Sequence, residues 1–113
     1  MRVLFYKTAY GREPVREYIN DLGEYDKADI IKDIELIEKY GIRKAPIVTR
    51  KLQGRHFKGK LWEIKTGMGH QQRIFYCIES GKIMVLLHAC KKQKESGQSE
   101  DLNVALKRMK EVL

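Results

Sequence analysis

The sequence predicts an α+β domain in which a mainly antiparallel sheet carries helices on one face, in the order β-α-α-β-β-β-α. Three observations support this class. Apolar residues recur at helical spacing in two long segments, and short runs rich in β-branched and aromatic residues occupy four others. A tight-turn sequence, ESGK, joins the last two of these runs. The chain has 113 residues and lacks repeats or interdomain linkers, so we expect residues 1–113 to form a single domain.

The first three elements follow from the N-terminal third of the chain. RVLFYK (2–7) is predicted to be a strand, and REPVREYINDL (12–22) a short helix with Pro14 in its first turn. A longer helix is predicted over about residues 24–40 and is expected to end at Gly41. The apolar face of this helix is marked by four isoleucines at helical spacing: Ile30, Ile31, Ile34 and Ile37.

The middle of the chain is less regular. Residues 41–60 are basic and punctuated by proline and glycine, so we expect only a short extended piece near residues 47–52. LWEIK (61–65) is predicted to be a strand. Residues 100–112 are predicted to form the closing helix, with Ser99 as its N-cap. The apolar stripe of that helix is Leu102, Ala105, Leu106, Met109 and Leu113.

The turn ESGK sets the register of the two longest strands, 73–80 and 82–91. A two-residue hairpin loop places Arg73 directly opposite His88, and the odd-length loop before Arg73 places Glu63 opposite Arg73. A row Glu63–Arg73–His88 is therefore expected to cross three strands on the open face of the sheet. The other face carries the residues that we expect beneath the helices: Ile74, Tyr76, Ile78, Ile83, Val85 and Leu87.

The basic residues are concentrated in one part of the chain. The net charge is +8, but residues 43–94 contain 13 basic residues and two acidic ones, a local charge of +11. Such segregation is typical of a domain that binds a polyanion, with nucleic acid the first candidate and an acidic protein the second. A solvated basic surface is the simpler alternative.

The last strand changes abruptly, in LLHACKKQK, from an apolar run into a lysine cluster: Lys91, Lys92 and Lys94. Metal-free cleavage of RNA needs a base for the 2′-OH proton, cations at the phosphorane and an acid for the leaving oxygen. Arg73, His88 and the lysine cluster offer all three on one face. Two simpler interpretations stay open: Glu63 and Arg73 can form a cross-strand ion pair, and His88 can be a hydrogen-bonded edge residue.

Several other kinds of site are not expected. The histidines at 56, 70 and 88 have no metal-ligand spacing with one another or with the cysteines, so we predict no metal site. TGMGHQ (66–71) lacks the pattern of a dinucleotide or phosphate loop, so we predict no cofactor. Cys77 and Cys90 are expected to be buried and reduced, and no apolar run approaches the roughly 18 residues of a membrane helix. These features predict a cytoplasmic protein with no membrane partner.

Three segments together resemble a known family: LWEIK, then QQRIFYCIESGKIMVLLHACKK, then the closing VALKRMKEVL. They resemble the phage-derived branch of the RelE/HigB-like toxins, the toxin halves of type II toxin–antitoxin systems. The pattern there is an aromatic-Glu-Leu-Arg strand, an Arg-aliphatic-Phe-Tyr strand, Leu-Leu-His followed by lysines, and a helix rich in Ala, Lys and Arg. The match covers residues 61–113, and FYKTAYGREPVREYINDL resembles the family's opening strand and helix. The resemblance implies the RelE-like α+β fold.

The resemblance also implies an activity and its residues. It implies a metal-independent endoribonuclease, an mRNA interferase that cuts mRNA on the ribosome, inhibits translation and is neutralised by a helix-turn-helix antitoxin from a neighbouring gene. Arg73 matches the family's strand arginine, Lys91 and Lys92 match its basic cluster, and with His88 they are the predicted catalytic residues. The predicted RNA contacts are Lys65, which stands where the family prefers arginine, and Lys94, Arg55, Lys58 and Lys60. A non-catalytic relative that binds nucleic acid or antitoxin, or a basic domain with another protein partner, remains an alternative.

Overall fold

The computed structural model describes residues 1–93 and 99–113, and within them the chain forms a five-stranded sheet and three helices. The α+β class predicted from the sequence is confirmed. The strands are β1 (Arg2–Phe5), β2 (Val48–Lys51), β3 (Trp62–Thr66), β4 (Gln72–Glu79) and β5 (Ile83–Lys91). The helices are α1 (Pro14–Asn20), α2 (Glu24–Tyr40) and α3 (Ser99–Val112), and the segments Arg55–Phe57 and Met68–His70 are 3₁₀ turns. None of the helices in the described residues is long and apolar enough to cross a membrane.

The strand order across the sheet is β1-β5-β4-β3-β2. β1 runs parallel to β5, and the other three neighbouring pairs are antiparallel, so the predicted mainly antiparallel sheet is confirmed. The short extended piece predicted near residues 47–52 is the edge strand β2. Gly41 ends α2 as expected, with φ +81° and its N–H donated to the Ile37 carbonyl at 2.7 Å.

Helices cover both faces of the sheet, which corrects the predicted placement on one face. α1 and α2 share one core with Ile74, Tyr76 and Met84. α3 packs Ala105 and Met109 into a second core on the opposite face. β4 and β5 are therefore buried on both sides, which is why their sequences read as continuous apolar runs rather than as alternating ones.

The turn between β4 and β5 is one residue longer than predicted. Glu79 lies opposite Ile83, so residues 80–82 form a three-residue loop in which Ser80 and Gly81 have φ of +52° and +70°. A slip of one residue in a hairpin exchanges the faces of the second strand. Three residues that were predicted to share a helix-covered face with Ile74 therefore lie on the opposite face, which α3 covers: Ile83, Val85 and Leu87.

A β-bulge at Leu87 adds a second slip of one residue. Tyr76 pairs with Leu86 but Phe75 pairs with His88, so Leu87 has no partner of its own in β4. Bulges bend a strand and redirect the side chains beside them. Here Leu87 packs into the α3 core, and the next side chain, His88, also turns toward α3. The bulge therefore aims the histidine at the closing helix.

Candidate functional site

Two rows of side chains cross β3, β4 and β5 near the end of the sheet. They are Lys65–Arg73–Cys90 and Glu63–Phe75–His88. The predicted row Glu63–Arg73–His88 was therefore wrong in both pairings, each by two residues. Because two residues are one full period of a strand, Arg73 and His88 still share a face, as predicted, although they are not opposite each other.

Arg73 is buried, with 6% of its surface exposed, so its expected place on an open face was wrong. Its Nη1 donates hydrogen bonds to the carbonyl oxygens of His70 at 2.6 Å and Gln72 at 3.1 Å. Its Nε lies 3.9 Å from Oε1 of Glu63. The guanidinium thus fixes the 3₁₀ turn before β4 against the sheet. The catalytic role of Arg73 stays a prediction, and this geometry supports a positioning role.

Glu63, on β3, is the acidic partner of Arg73. It is 1% exposed, and its Oε1 accepts a hydrogen bond from Nε of Arg50 at 3.1 Å in addition to the longer contact with Arg73. Burying a carboxylate requires such partners, because an unpaired buried charge is strongly unfavourable. The ion-pair interpretation of Glu63 and Arg73 therefore agrees with the structure, with Arg50 as a second cation that was not foreseen.

His88 is on β5, and its ring contacts Phe75 of β4 and Asp101 of α3. Its Nε2 is 2.6 Å from Oδ1 of Asp101 in the first turn of α3, and its ring stacks on Phe75 with centroids 6.2 Å apart. Its Nδ1 is 3.5 Å from Nη1 of Arg108, which also donates to the Leu87 carbonyl at 2.8 Å. A guanidinium beside Nδ1 favours a lone pair on that nitrogen, so the ring proton belongs on Nε2, where it is donated to Asp101.

Sequence reasoning missed Asp101 and Arg108, although both contact the predicted histidine. They lie 13 and 20 residues beyond His88, on a separate helix, so no local spacing connects them to it. One signal was present in the sequence. The two residues are seven apart, which is about two helical turns, and so they share a face of α3.

Cys90 completes a polar cluster with His88 and Asp101. One ligand-type atom from each residue lies within 4.8 Å of the other two. Burial, then the negative charge of Asp101 and a hydrogen bond to its carboxylate, raise the pKa of the Cys90 thiol to about 12. The thiol is therefore protonated near neutral pH and is not an activated nucleophile. Both cysteines are free and buried, as expected.

Three lysines surround the end of the sheet beside this cluster, and we call Lys65, Lys91 and Lys92 the strand-end lysines. Lys91 and Lys92 are exposed, and Lys65 is half-buried directly opposite Arg73. The backbone N–H of Lys92 donates to the Gln71 carbonyl at 2.7 Å, which joins the end of β5 to the loop before β4. Lys94, which was also predicted to contact RNA, lies outside the described residues.

The other predicted RNA contacts lie elsewhere. Arg55, Lys58 and Lys60 are exposed in the connection that precedes β3. Lys65 lies near the far end of that strand, three residues after Trp62, which is roughly 10 Å at the usual rise per residue. Phe57 anchors the connection in the α3 core, and these cations are not part of the strand-end group.

Residues 17–110 match the family described as phage derived protein Gp49-like (DUF891). The chain belongs to the Gp49-like family. This family is associated with the toxins of toxin–antitoxin systems, which confirms the coarser part of the resemblance; the specific RelE/HigB assignment stays a prediction. A comparison with curated proteins finds no match.

The Gp49-like match spans the chain from α1 to α3 and contains every residue of the site: the strand-end lysines, Arg73, His88, Cys90, Asp101 and Arg108. β1 lies outside the matched range. Membership of a toxin-associated family also suggests an antitoxin as partner.

Proposed function

We propose that this Gp49-like protein is the toxin of a type II toxin–antitoxin system and acts as an endoribonuclease on mRNA at the ribosome. One observation carries the proposal. The strand-end lysines lie at the same end of the sheet as a histidine that is oriented by a carboxylate, in a chain from a toxin-associated family. Cations beside an oriented imidazole are the groups that RNA cleavage without a metal requires.

The strand-end lysines would bind the RNA backbone. Lys91 is the last residue of β5 and Lys92 follows it, and both are exposed, so their ammonium groups reach solvent at this end of the sheet. Lys91 pairs with Gln72, which accepts a hydrogen bond from Tyr18 of α1, so Lys91 lies on the α1 side of the sheet. Lys65 adds a third cation from β3. Lysine is a point charge without the fork of arginine, so these residues favour phosphate without fixing its orientation.

His88 is the acid–base candidate of this proposal. Asp101 holds the Nε2 proton and would stabilise the imidazolium, as an orienting carboxylate does in a histidine dyad. Nδ1, whose contact with Arg108 is 3.5 Å, is the nitrogen left to accept the 2′-OH proton. The 2′-oxygen then attacks the adjacent phosphorus, the bond from phosphorus to the 5′-oxygen breaks, and Lys92 protonates the leaving oxygen. The products are a 2′,3′-cyclic phosphate and a 5′-hydroxyl.

The proposed partners follow from the same activity. The substrate is mRNA, and the inhibitor is a helix-turn-helix antitoxin encoded beside the toxin. The supporting observation is charge: residues 43–94 carry +11, and both RNA and an acidic antitoxin surface complement such a region.

Controlled expression tests the proposal directly. Induction of the wild-type chain should arrest growth, and purified protein should cut mRNA alone or in translating ribosomes. The His88→Gln variant should lose both effects yet still bind the antitoxin, which shows that it is folded. The matched control is His56→Gln, an exposed histidine on the Arg55–Phe57 turn, which should remain toxic. If wild-type protein binds RNA or antitoxin but cuts nothing under either condition, the non-catalytic alternative is correct.

A further inference from the structure

We propose that His88, Cys90 and Asp101 form a binding site for a divalent transition-metal ion of the zinc type, and that the bound ion inhibits RNA cleavage. Metal binding itself is independent of the proposed function. The inhibition rests on that function, because it assumes that His88 takes part in cleavage.

The three residues offer the donor atoms that zinc prefers. They are an imidazole nitrogen, a thiol sulfur and a carboxylate oxygen, and these atoms lie within 4.8 Å of one another. Zinc binds sulfur at about 2.3 Å and nitrogen or oxygen at about 2.0 to 2.2 Å, so the ligand atoms of a tetrahedral ion are roughly 3.3 to 3.7 Å apart. Shifts of about an ångström convert the present cluster into such a set. One of these shifts must separate Nε2 of His88 from Oδ1 of Asp101, which are now 2.6 Å apart.

The fold brings these donors together on rigid elements. His88 and Cys90 are two residues apart on β5 and point to one face of the sheet. Asp101 reaches them from the first turn of α3, whose Ala105 and Met109 are packed into the core on that face. Sites held by strands and helices are better ordered than sites on loops. Sequence spacing did not reveal the group because its third member comes from another element.

The cluster is buried enough to hold an ion and open enough to admit one. Cys90 is 7% exposed, whereas the side chains of His88 and Asp101 are 19% and 21% exposed. Solvent therefore reaches the histidine and carboxylate side of the cluster. Three protein donors with one solvent-facing position are the arrangement in which zinc retains a water or takes up another ligand.

Two proton movements accompany binding. The Cys90 thiol loses its proton, because the thiolate is the metal ligand. The ring proton of His88 moves from Nε2 to Nδ1, beside Arg108. Arg108 keeps its stronger hydrogen bond, to the Leu87 carbonyl at 2.8 Å, so its anchorage does not depend on the histidine. With Nε2 on the metal and Nδ1 protonated, His88 can no longer accept the 2′-OH proton.

Cobalt substitution tests the site without reference to cleavage. The metal-free, reduced full chain is titrated with Co²⁺, and thiolate-to-cobalt charge-transfer absorbance is recorded. We expect one equivalent of Co²⁺ to bind and to produce this absorbance band. Zn²⁺ should then abolish the band by competing for the site. Cys90→Ser should remove the band and weaken Zn²⁺ binding at least tenfold. Cys77→Ser is the matched control, and this variant should keep the band. Cys77 is a free, buried cysteine on β4 that lies on the same face of the sheet as Cys90 but outside the cluster.

The outcomes separate this inference from the proposed function. A wild-type protein that shows no thiolate band, or a Cys90→Ser variant that keeps it, overturns the metal site. If the band is present, cleavage is measured with and without one equivalent of Zn²⁺. One equivalent of Zn²⁺ should lower the cleavage rate of the wild type at least tenfold below its metal-free rate. The Cys90→Ser variant should cleave at the same rate with and without Zn²⁺. Equal slowing of both proteins would overturn inhibition through this site.

Discussion

Nε2 of His88 and Oδ1 of Asp101 lie 2.6 Å apart, and this hydrogen bond joins the end of β5 to the first turn of α3. A carboxylate in the first helical turn interacts favourably with the helix dipole, so Asp101 is well placed to orient the imidazole. The pair makes the orientation of His88 depend on how α3 packs against the sheet.

The first prediction separates proton transfer from RNA binding. His88→Gln should lower the single-turnover cleavage rate by about 10² to 10⁴-fold, the usual contribution of general acid–base catalysis. Asp101→Asn should lower it less, because the imidazole remains but loses its oriented, negatively charged partner. RNA affinity, measured by fluorescence anisotropy, should change little in either variant. A His88→Gln protein that cleaves at the wild-type rate would reduce His88 to a structural residue.

The second prediction concerns Lys91 and Lys92, at the C-terminal end of β5. Changing Lys91 and Lys92 to glutamine should lower the log–log salt dependence of RNA binding by about 1.4, since each phosphate contact contributes about 0.7 on a single strand. The matched control replaces Lys32 and Lys39 on α2, which packs on the other face of the sheet. An unchanged slope in the Lys91/Lys92 double variant would show that these lysines are only a solvated strand end.

The third prediction follows from the burial of Arg73. Arg73→Ala removes two hydrogen bonds to the carbonyls of His70 and Gln72 and one of the cations near buried Glu63. The free energy of unfolding should fall by about 1.5 to 3 kcal/mol, the range for a lost hydrogen bond to a charged group. Urea unfolding measures the change, and Arg50→Ala, which removes the more exposed cation of Glu63, should be milder. If Arg73→Ala is as stable as wild type yet inactive, the guanidinium acts on RNA, as the sequence predicted.

The sequence predicted the order of the elements except that β2 was expected only as a short extended piece and not counted as a strand. It also predicted the shared face of Arg73 and His88 but not their partners. Periodicity and turn composition depend on local residues, and they located α2 and β5 to within a residue or so. Register depends on the loop length at Ser80 and on the bulge at Leu87, and neither is encoded by a distinctive residue. The two single-residue slips added to a full strand period, which is why the face was right although the pairing was wrong.

The burial of β4 and β5 on both faces could also have been predicted from the sequence. IFYCI (74–78) and IMVLL (83–87) are continuous apolar runs, which are typical of strands covered on both sides. The burial of Arg73 could not be foreseen, since it depends on carbonyl groups that the 3₁₀ turn at His70 presents. Asp101 and Arg108 likewise became part of the site only through the packing of α3, a long-range contact with no local pattern.

The last prediction concerns the two cysteines and alkaline pH. Burial raises the pKa of Cys77 to about 11 and of Cys90 to about 12, above the ordinary thiol value of 9.0. Because the folded state favours the protonated thiol, the associated stability is fully present below about pH 9 and is lost as pH rises toward these values. The urea midpoint of the wild type should therefore fall between about pH 9 and 11, and the fall should be smaller in Cys90→Ala, since other groups titrate equally in both proteins.

At pH 8 both thiols should react slowly with iodoacetamide in the folded protein and rapidly in urea. Fast alkylation of Cys90 in the folded protein would contradict its burial and its hydrogen bond to Asp101.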